Sequence, residues 1–134
     1  MLTPAFPLSA AGHHLATRLG DDYLVIAGTC TGGQTSTHRA DPDRPGGVAI
    51  TAAELSPPDA GSVEAALAVV PGAHVVDLRG ARGLQPAPHR IRIMADYQEA
   101  PIPDAYDLVV NIPVVSTTEQ VDPVTADSLR ARFT

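Results

Sequence analysis

The chain has no lysine, no tryptophan and no pair of cysteines. Its 9 basic side chains are all arginines, and with 15 Asp and Glu the formal net charge is −6. Cys30 is the single cysteine, which excludes an internal disulfide and a cysteine-rich metal site. An acidic chain with scattered arginines also lacks the clustered positive surface that nucleic-acid binding requires. We expect no metal, no cofactor and no nucleic-acid partner.

Long hydrophobic runs are also missing. No segment approaches the ~20 apolar residues of a membrane span, and residues 1–10 lack the basic start of a signal peptide. We therefore expect a cytoplasmic protein with no membrane partner. Aromatic residues make up only 4% of the chain, so the core must consist of Ala, Val, Leu and Ile. Such small side chains each bury little area, which predicts marginal stability for the chain alone.

What the sequence does contain is a series of short elements separated by Gly and Pro. In the first third, a helix is expected between a Ser9 cap and a Gly20 stop. The apolar run at residues 23–27 predicts a strand covered on both faces, as in parallel sheets. Residues 28–33 then predict a flexible glycine-rich loop, which the polar residues after it extend.

The same alternation continues to the end of the chain. The remaining predicted elements are strands over residues 47–51, 73–79, 90–94 and 106–112, a helix over 63–70 capped by Ser62, and a short terminal helix opened by Asp122 and Pro123. This order predicts the α/β class, with a short layered sheet of mostly buried strands, two or three flanking helices and an incomplete domain. Two or three short helices cover little more than one face of a sheet. We therefore expect a bare apolar face and self-association.

The glycine-rich segment is the first candidate for a binding motif. Residues 28–35 match the phosphate-loop template G-x-x-x-x-G-K-[ST], except that Gln34 replaces the lysine. No helical periodicity follows this segment, so the helix N-terminus that would assist phosphate binding is also missing. The pattern favours an ordinary loop at a strand end over a nucleotide site.

Histidine and cysteine are the other candidates for chemistry. None of the 5 histidines has the spacing of a metal pair, and a solvent-exposed or hydrogen-bonded role is expected for each. His14 is kept as a candidate catalytic residue, because the strand that follows its helix ends at the polar glycine segment. Cys30 could form a thiolate nucleophile with a histidine, although a lone cysteine at a strand end is more often a small buried side chain.

Five stretches of the sequence, in the right order, resemble the erythromycin esterase family. Gly12 and Leu15 resemble its M-G-x-x-L helix, with Ala11 in place of Met, and residues 20–26 resemble its G-x-x-Y-x-x-I strand. The other three stretches are residues 58–67 (S-x-E-x-x-L), 76–79 (the aspartate-leucine-arginine strand) and 105–110 (the late strand). The resemblance covers residues 11–120, leaving 1–10 as an irregular segment and 121–134 as a tail or short helix.

Members of that family are hydrolases, the best known of which confer antibiotic resistance by opening the lactone ring of macrolides with an activated water. The resemblance implies that the catalytic Glu and His residues precede the part represented here, so no catalytic residue can be transferred to this chain. It implies a truncated, C-terminal portion that is inactive by itself and pairs with an upstream half. Thr29, Thr31 and Arg79 are then expected to line one wall of a cleft for an ester or lactone substrate. The alternative is a non-catalytic α/β module that binds a partner chain or a small ligand.

Overall fold

A four-stranded mixed sheet organises the part of the chain that the structure describes. The structure is a computed structural model and describes residues 11–118 and 131. In order across the sheet, the strands are β2 (Val48–Glu54), β1 (Ile26–Ala40), β6 (Leu108–Val115) and β3 (His74–Asp77). Strands β4 (Arg90–Ile93) and β5 (Asp96–Glu99) form a second, antiparallel pair. The helices are α1 (Ala11–Leu19), α2 (Val63–Leu67) and α3 (Ile102–Ala105). The α/β class is confirmed.

Strand β1 corrects the prediction of a flexible glycine-rich loop. The strand begins at Ile26 rather than at residue 23, and it continues through the glycines to Ala40. Its first half pairs in parallel with β6, and its second half pairs antiparallel with β2. Glycine is a poor strand former by itself, but the two partner strands supply the backbone hydrogen bonds for this segment. The local composition indicated a loop because it contains no information about those distant partners.

Gly33 marks the point where β1 leaves β6 and joins β2. Its φ is +101°, a conformation that L side chains rarely adopt, and a Cβ placed there would lie 2.1 Å from the carbonyl oxygen of Val115. Immediately after it, Gln34 pairs with Glu54 of β2. Only glycine fits this close approach of two backbones, so residue 33 fixes where the strand changes partner.

One face of the sheet, called the inner face, is covered by α2, β4 and α3. Ala27 and Val109 lie on it and pack in a core with residues of those elements. The core residues that are buried are Ala27, Val63, Leu67, Leu78, Ile91, Ile102 and Val109. These are mostly small aliphatic side chains, as the composition predicts.

The opposite face of the sheet is largely uncovered by the described residues. Ile26, Ile112, Val114 and Val75 share this face by the strand register, and we call these four residues the outer apolar face. Val75 is 60% exposed and Val114 is 74% exposed. Parallel strands are normally covered on both sides, whereas the described residues leave this apolar face bare, as the sequence predicts.

Helices α1 and α2 lie where the sequence predicts them, whereas α3 was not predicted. Helix α2 ends at Leu67 rather than at residue 70, and the Ser62 cap is confirmed because its hydroxyl accepts a hydrogen bond from the Ala65 N–H at 3.1 Å. Helix α1 ends before Gly20 at φ +54° and has no buried residue. The predicted Ser9 cap and the helix after Asp122 lie outside the described residues. Among the helices described, none is long and apolar enough to cross a membrane.

Candidate functional site

A group of polar side chains is buried between the inner face and the elements that cover it. Glu64 of α2 is 0% exposed, and its Oε1 accepts hydrogen bonds from the Thr29 hydroxyl and from the Arg92 backbone N–H, the latter at 2.9 Å. Its other oxygen, Oε2, has no hydrogen-bond partner among the described residues. The carboxylate therefore ties α2, β1 and β4 together in the interior.

Arg92 supplies the positive charge of this group. Its side chain is 3% exposed, and Nη2 donates to the Ser56 carbonyl oxygen at 2.7 Å and to the Tyr97 hydroxyl at 2.6 Å. The guanidinium carbon lies 5.1 Å from the centroid of the Tyr97 ring, a distance at which a cation is attracted by an aromatic face. Within the described part of the chain, Nε and Nη1 have no acceptor.

Asn111 completes the buried polar group on the neighbouring strand. It pairs with Thr29 in the register of β1 and β6, and its Oδ1 accepts a hydrogen bond from the Thr31 hydroxyl at 3.2 Å. Asn111 is 1% exposed, and its Nδ2 finds no acceptor among the residues described. We call Thr29, Thr31, Glu64, Arg92 and Asn111 the inner polar cluster.

A pocket of about 380 Å³ adjoins the inner polar cluster. It follows β1 on both sides of the bend at Gly33 and meets the end of β6, near the carboxyl edge of the parallel strand pair. Ligand sites of open α/β sheets commonly lie outside that edge. The lining residues are Gly28, Thr29, Cys30, Gln34, Thr35, Ser36, Arg92, Met94, Ile112, Val115, Ser116, Thr117 and Thr118. Among the described residues, Arg92 is the one charged side chain in this lining.

Cys30 lies in the pocket wall and responds to the charges of Arg92 and Glu64. Burial raises the pKa of its thiol above the usual value, while the positive charge of Arg92 lowers it and the negative charge of Glu64 raises it. The thiol is therefore held mainly in its protonated, less nucleophilic form at neutral pH. Because the charge of Arg92 affects the pKa of the Cys30 thiol, the reactivity of Cys30 can report on the charge in the pocket.

The residues proposed from the sequence fall into two places. Thr29 and Thr31 belong to the inner polar cluster, and Thr29 also lines the pocket. Arg79 instead follows β3, whose Asp77 pairs with Leu108 at the start of β6, at the opposite end of that strand from the pocket. His14 is exposed on α1. The structure thus brings the two threonines together and leaves Arg79 and His14 apart from them.

Arg79 takes part in an ion pair at the far edge of the sheet. Its Nη2 donates to the Asp77 carboxylate at 2.6 Å, and hydrogen bonds from Arg79 lower the pKa of Asp77 to about 2. Nearby, the Asp107 carboxylate accepts from the Val25 N–H at 2.8 Å and from Arg82 at 2.6 Å, and these bonds lower its pKa. These contacts fix the entry of the chain into β1 and β6.

The histidine, cysteine and carboxylate side chains of the described residues are dispersed. Within that part of the chain, no group of three or more His, Cys, Asp or Glu side chains is close enough together to hold an ion. The pocket lining contains no histidine and no carboxylate among its described residues.

The fold and the site together define a small α/β unit with a polar pocket at a sheet edge. A solved structure similar to it is that of the erythromycin esterase EreC, a mutant in its open conformation, with 23% sequence identity and a TM-score of 0.69. The similarity covers 83% of this chain and 27% of that chain. No protein-family model matches the chain, and no curated protein sequence matches it. The fold therefore resembles part of an erythromycin esterase, and the chain spans about a quarter of that protein's length.

Three residues of the inner polar cluster were not among the predicted site residues, namely Glu64, Arg92 and Asn111. Glu64 is an acidic residue within the otherwise apolar helix Val63–Leu67, and that interruption is a usable signal of a buried carboxylate. Arg92 lies in a segment whose alternation predicts a half-exposed strand. Its burial depends on Ser56 and Tyr97, and the local pattern contains no signal of those contacts.

Proposed function

We propose that this chain forms one wall of the substrate cleft of an ester- or lactone-hydrolysing protein of the erythromycin esterase type. The observation that supports this most is the pocket beside the inner polar cluster, in a fold that resembles part of such an esterase. The finer proposal, a macrolide lactone as substrate and antibiotic resistance as the outcome, rests on the sequence resemblance.

The pocket is suited to contribute to a cleft rather than to form a whole active site. Its volume of about 380 Å³ lies near the lower end of the range for sites that enclose a drug-sized molecule, ~300–1,000 Å³. Its lining combines hydroxyls such as Thr35 and Thr117 with the apolar Met94 and Val115. Such a wall suits a ligand with a largely apolar body and several oxygen atoms.

Hydrolysis needs a general base within hydrogen-bond reach of the attacking water. The described lining of the pocket offers no histidine and no carboxylate, and the buried Glu64 lies behind Thr29, which occupies its Oε1. We therefore propose that the catalytic Glu and His residues come from protein outside the pocket wall, as the family resemblance implies.

The proposal is tested by incubating a 14-membered macrolide with the chain alone, and with the chain plus the part of EreC that has no counterpart in it. Mass spectrometry then measures the addition of one water to the macrolide. We expect addition only in the combined sample. If the chain alone opens the macrolide, the proposal that the catalytic residues come from outside the pocket wall is wrong. If the macrolide is opened in neither sample, the result counts against an esterase role.

A matched pair of variants tests the role of the pocket in that assay. Thr35→Arg places a large side chain in the lining, whereas Thr37→Arg places the same side chain on the same strand outside it. We expect Thr35→Arg to raise the KM for the macrolide and Thr37→Arg to leave it unchanged. Equal effects of the two variants would show that the pocket does not contact the substrate.

The alternative, a ligand-binding module without catalysis, is favoured by one specific observation. Arg92 is buried beside the pocket, and its Nε and Nη1 have no acceptor among the described residues. This predicts binding of a small ligand whether or not hydrolysis occurs.

A further inference from the structure

More than half of the N–H donors of one buried guanidinium have no acceptor among the described residues. Arg92 has five N–H donors, of which the two on Nη2 are used by Ser56 and Tyr97. The three on Nε and Nη1 have no acceptor within the described part of the chain, although Arg92 is 3% exposed. A charged donor that is buried without an acceptor has a much higher free energy than the same donor hydrated by water.

Glu64 does not balance this charge directly. Its Oε1 is occupied by the Thr29 hydroxyl and by the Arg92 backbone N–H. None of the ion pairs formed among the described residues includes the Arg92 side chain. Ser56 and Tyr97 therefore hold the guanidinium in place, and its Nε and Nη1 donors have no acceptor among the described residues.

Because Arg92 also lines the pocket, a small local shift of the wall would bring a ligand in the pocket to the buried guanidinium. We propose that the pocket binds the carboxylate of a small organic acid with an apolar body, with Arg92 as the anchor for the carboxylate. Met94 and Val115 contribute the apolar part of the lining, and Thr35 and Thr117 contribute hydroxyls.

The charge balance of the site selects a monoanion. The described lining contains a single cation, and the buried carboxylate of Glu64 is hydrogen-bonded to the backbone of the same residue. A doubly charged anion such as phosphate would bring one negative charge without a partner into a chain whose net charge is already −6. A monocarboxylate matches the single guanidinium.

This inference deepens the proposed function. Hydrolysis of an ester or lactone adds one water across the C–O bond and yields one carboxylic acid and one alcohol, so the acid group is the new charge that a product carries. The proposal rests on the proposed function for the origin of that acid, but binding itself requires no hydrolysis. The two can therefore fail separately.

The test uses Cys30, the only cysteine of the chain, as the reporter. The rate at which iodoacetamide alkylates it is measured with increasing hexanoate, with hexanamide as the neutral control of the same shape, and with chloride at matched ionic strength. A carboxylate on Arg92 cancels the charge that lowers the pKa of the Cys30 thiol, so less thiolate is present. We expect saturable slowing by about threefold or more with hexanoate and little change with hexanamide.

Two variants sharpen the result. Arg92→Gln should abolish the difference between hexanoate and hexanamide, and Arg90→Gln, the same change two residues earlier at an arginine outside the pocket lining, should preserve it. If Arg92→Gln does not fold, the comparison of hexanoate with hexanamide on the natural chain still tests the proposal. Equal slowing by both, slowing matched by chloride, or no slowing at all would overturn the proposal. Macrolide opening without hexanoate binding would overturn this inference alone, and binding without opening would overturn only the esterase role.

Discussion

The two faces of the central sheet differ in an unusual direction. Beside the aliphatic core, the covered inner face and the elements packed on it bury polar side chains, with Glu64, Arg92 and Asn111 all at most 3% exposed. The uncovered outer apolar face carries aliphatic side chains, with Val114 74% exposed. An apolar face is normally the one that is buried, whereas here exposed aliphatic side chains lie on one side of the sheet and buried polar side chains lie on the other.

The largest loss of stability is expected at Gly33, where the register of strand β1 determines which side chains lie on each face. Gly33→Ala would place a Cβ 2.1 Å from the Val115 carbonyl oxygen at a φ of +101°, so the strand pairing must shift. A shift by one residue exchanges the two faces, and we expect a loss of about 3 kcal/mol or more in the free energy of unfolding. Chemical denaturation measures it. Gly28→Ala is the control, because a Cβ there meets nothing within 4 Å.

The next largest effect is expected from the inner polar cluster. Glu64→Ala leaves the Thr29 hydroxyl and the Arg92 N–H without their acceptor and creates a cavity, so unfolding should become easier by about 2–4 kcal/mol. Glu54→Ala, at an exposed position on β2, should change the same measurement by about 0.5 kcal/mol or less. Similar losses for both variants would show that the cluster does not hold α2, β1 and β4 together.

The two faces can be compared directly with one substitution on one strand. Val109→Thr puts a hydroxyl at a position that is 0% exposed and should cost about 2 kcal/mol. Val114→Thr, on the outer apolar face of the same strand, should leave stability nearly unchanged. Val114→Thr combined with Val75→Thr should instead reduce self-association in analytical ultracentrifugation, because it removes exposed apolar surface. Unchanged association would mean that the outer face does not contact a second copy.

The success of sequence reasoning follows the range of the interactions involved. The Ser62 cap depends on a hydrogen bond three residues away, so the sequence predicts it correctly. The second half of β1 depends on β2, and the first half depends on β6, which lies more than seventy residues further along, so local composition indicated a loop. Glu64 and Arg92 were missed for the same reason, since the partners of Glu64 are 28 and 35 residues away. Local chemistry predicts caps and strand ends, whereas buried polar pairs depend on the topology.

The smallest change in stability is expected for the ion pair of Asp77 and Arg79 at the edge of the sheet. Hydrogen bonds from Arg79 hold the pKa of Asp77 at about 2, below its ordinary value of 3.8. A lowered pKa stabilises the folded state above the ordinary value, and this contribution is lost as the pH falls from about 4 to about 2. Both side chains are exposed, so solvent screens the pair and the contribution is small.

Asp77→Asn tests this contribution by thermal melting across the same pH range. The variant should melt slightly below the natural chain near neutral pH, and the difference should vanish as Asp77 becomes protonated in acid. Asp43→Asn is the control, because Asp43 is exposed and forms no ion pair with the other described residues. A difference that stayed constant down to about pH 2 would mean that Asp77 acts through local backbone geometry, and the edge would then contribute to the fold independently of its charge.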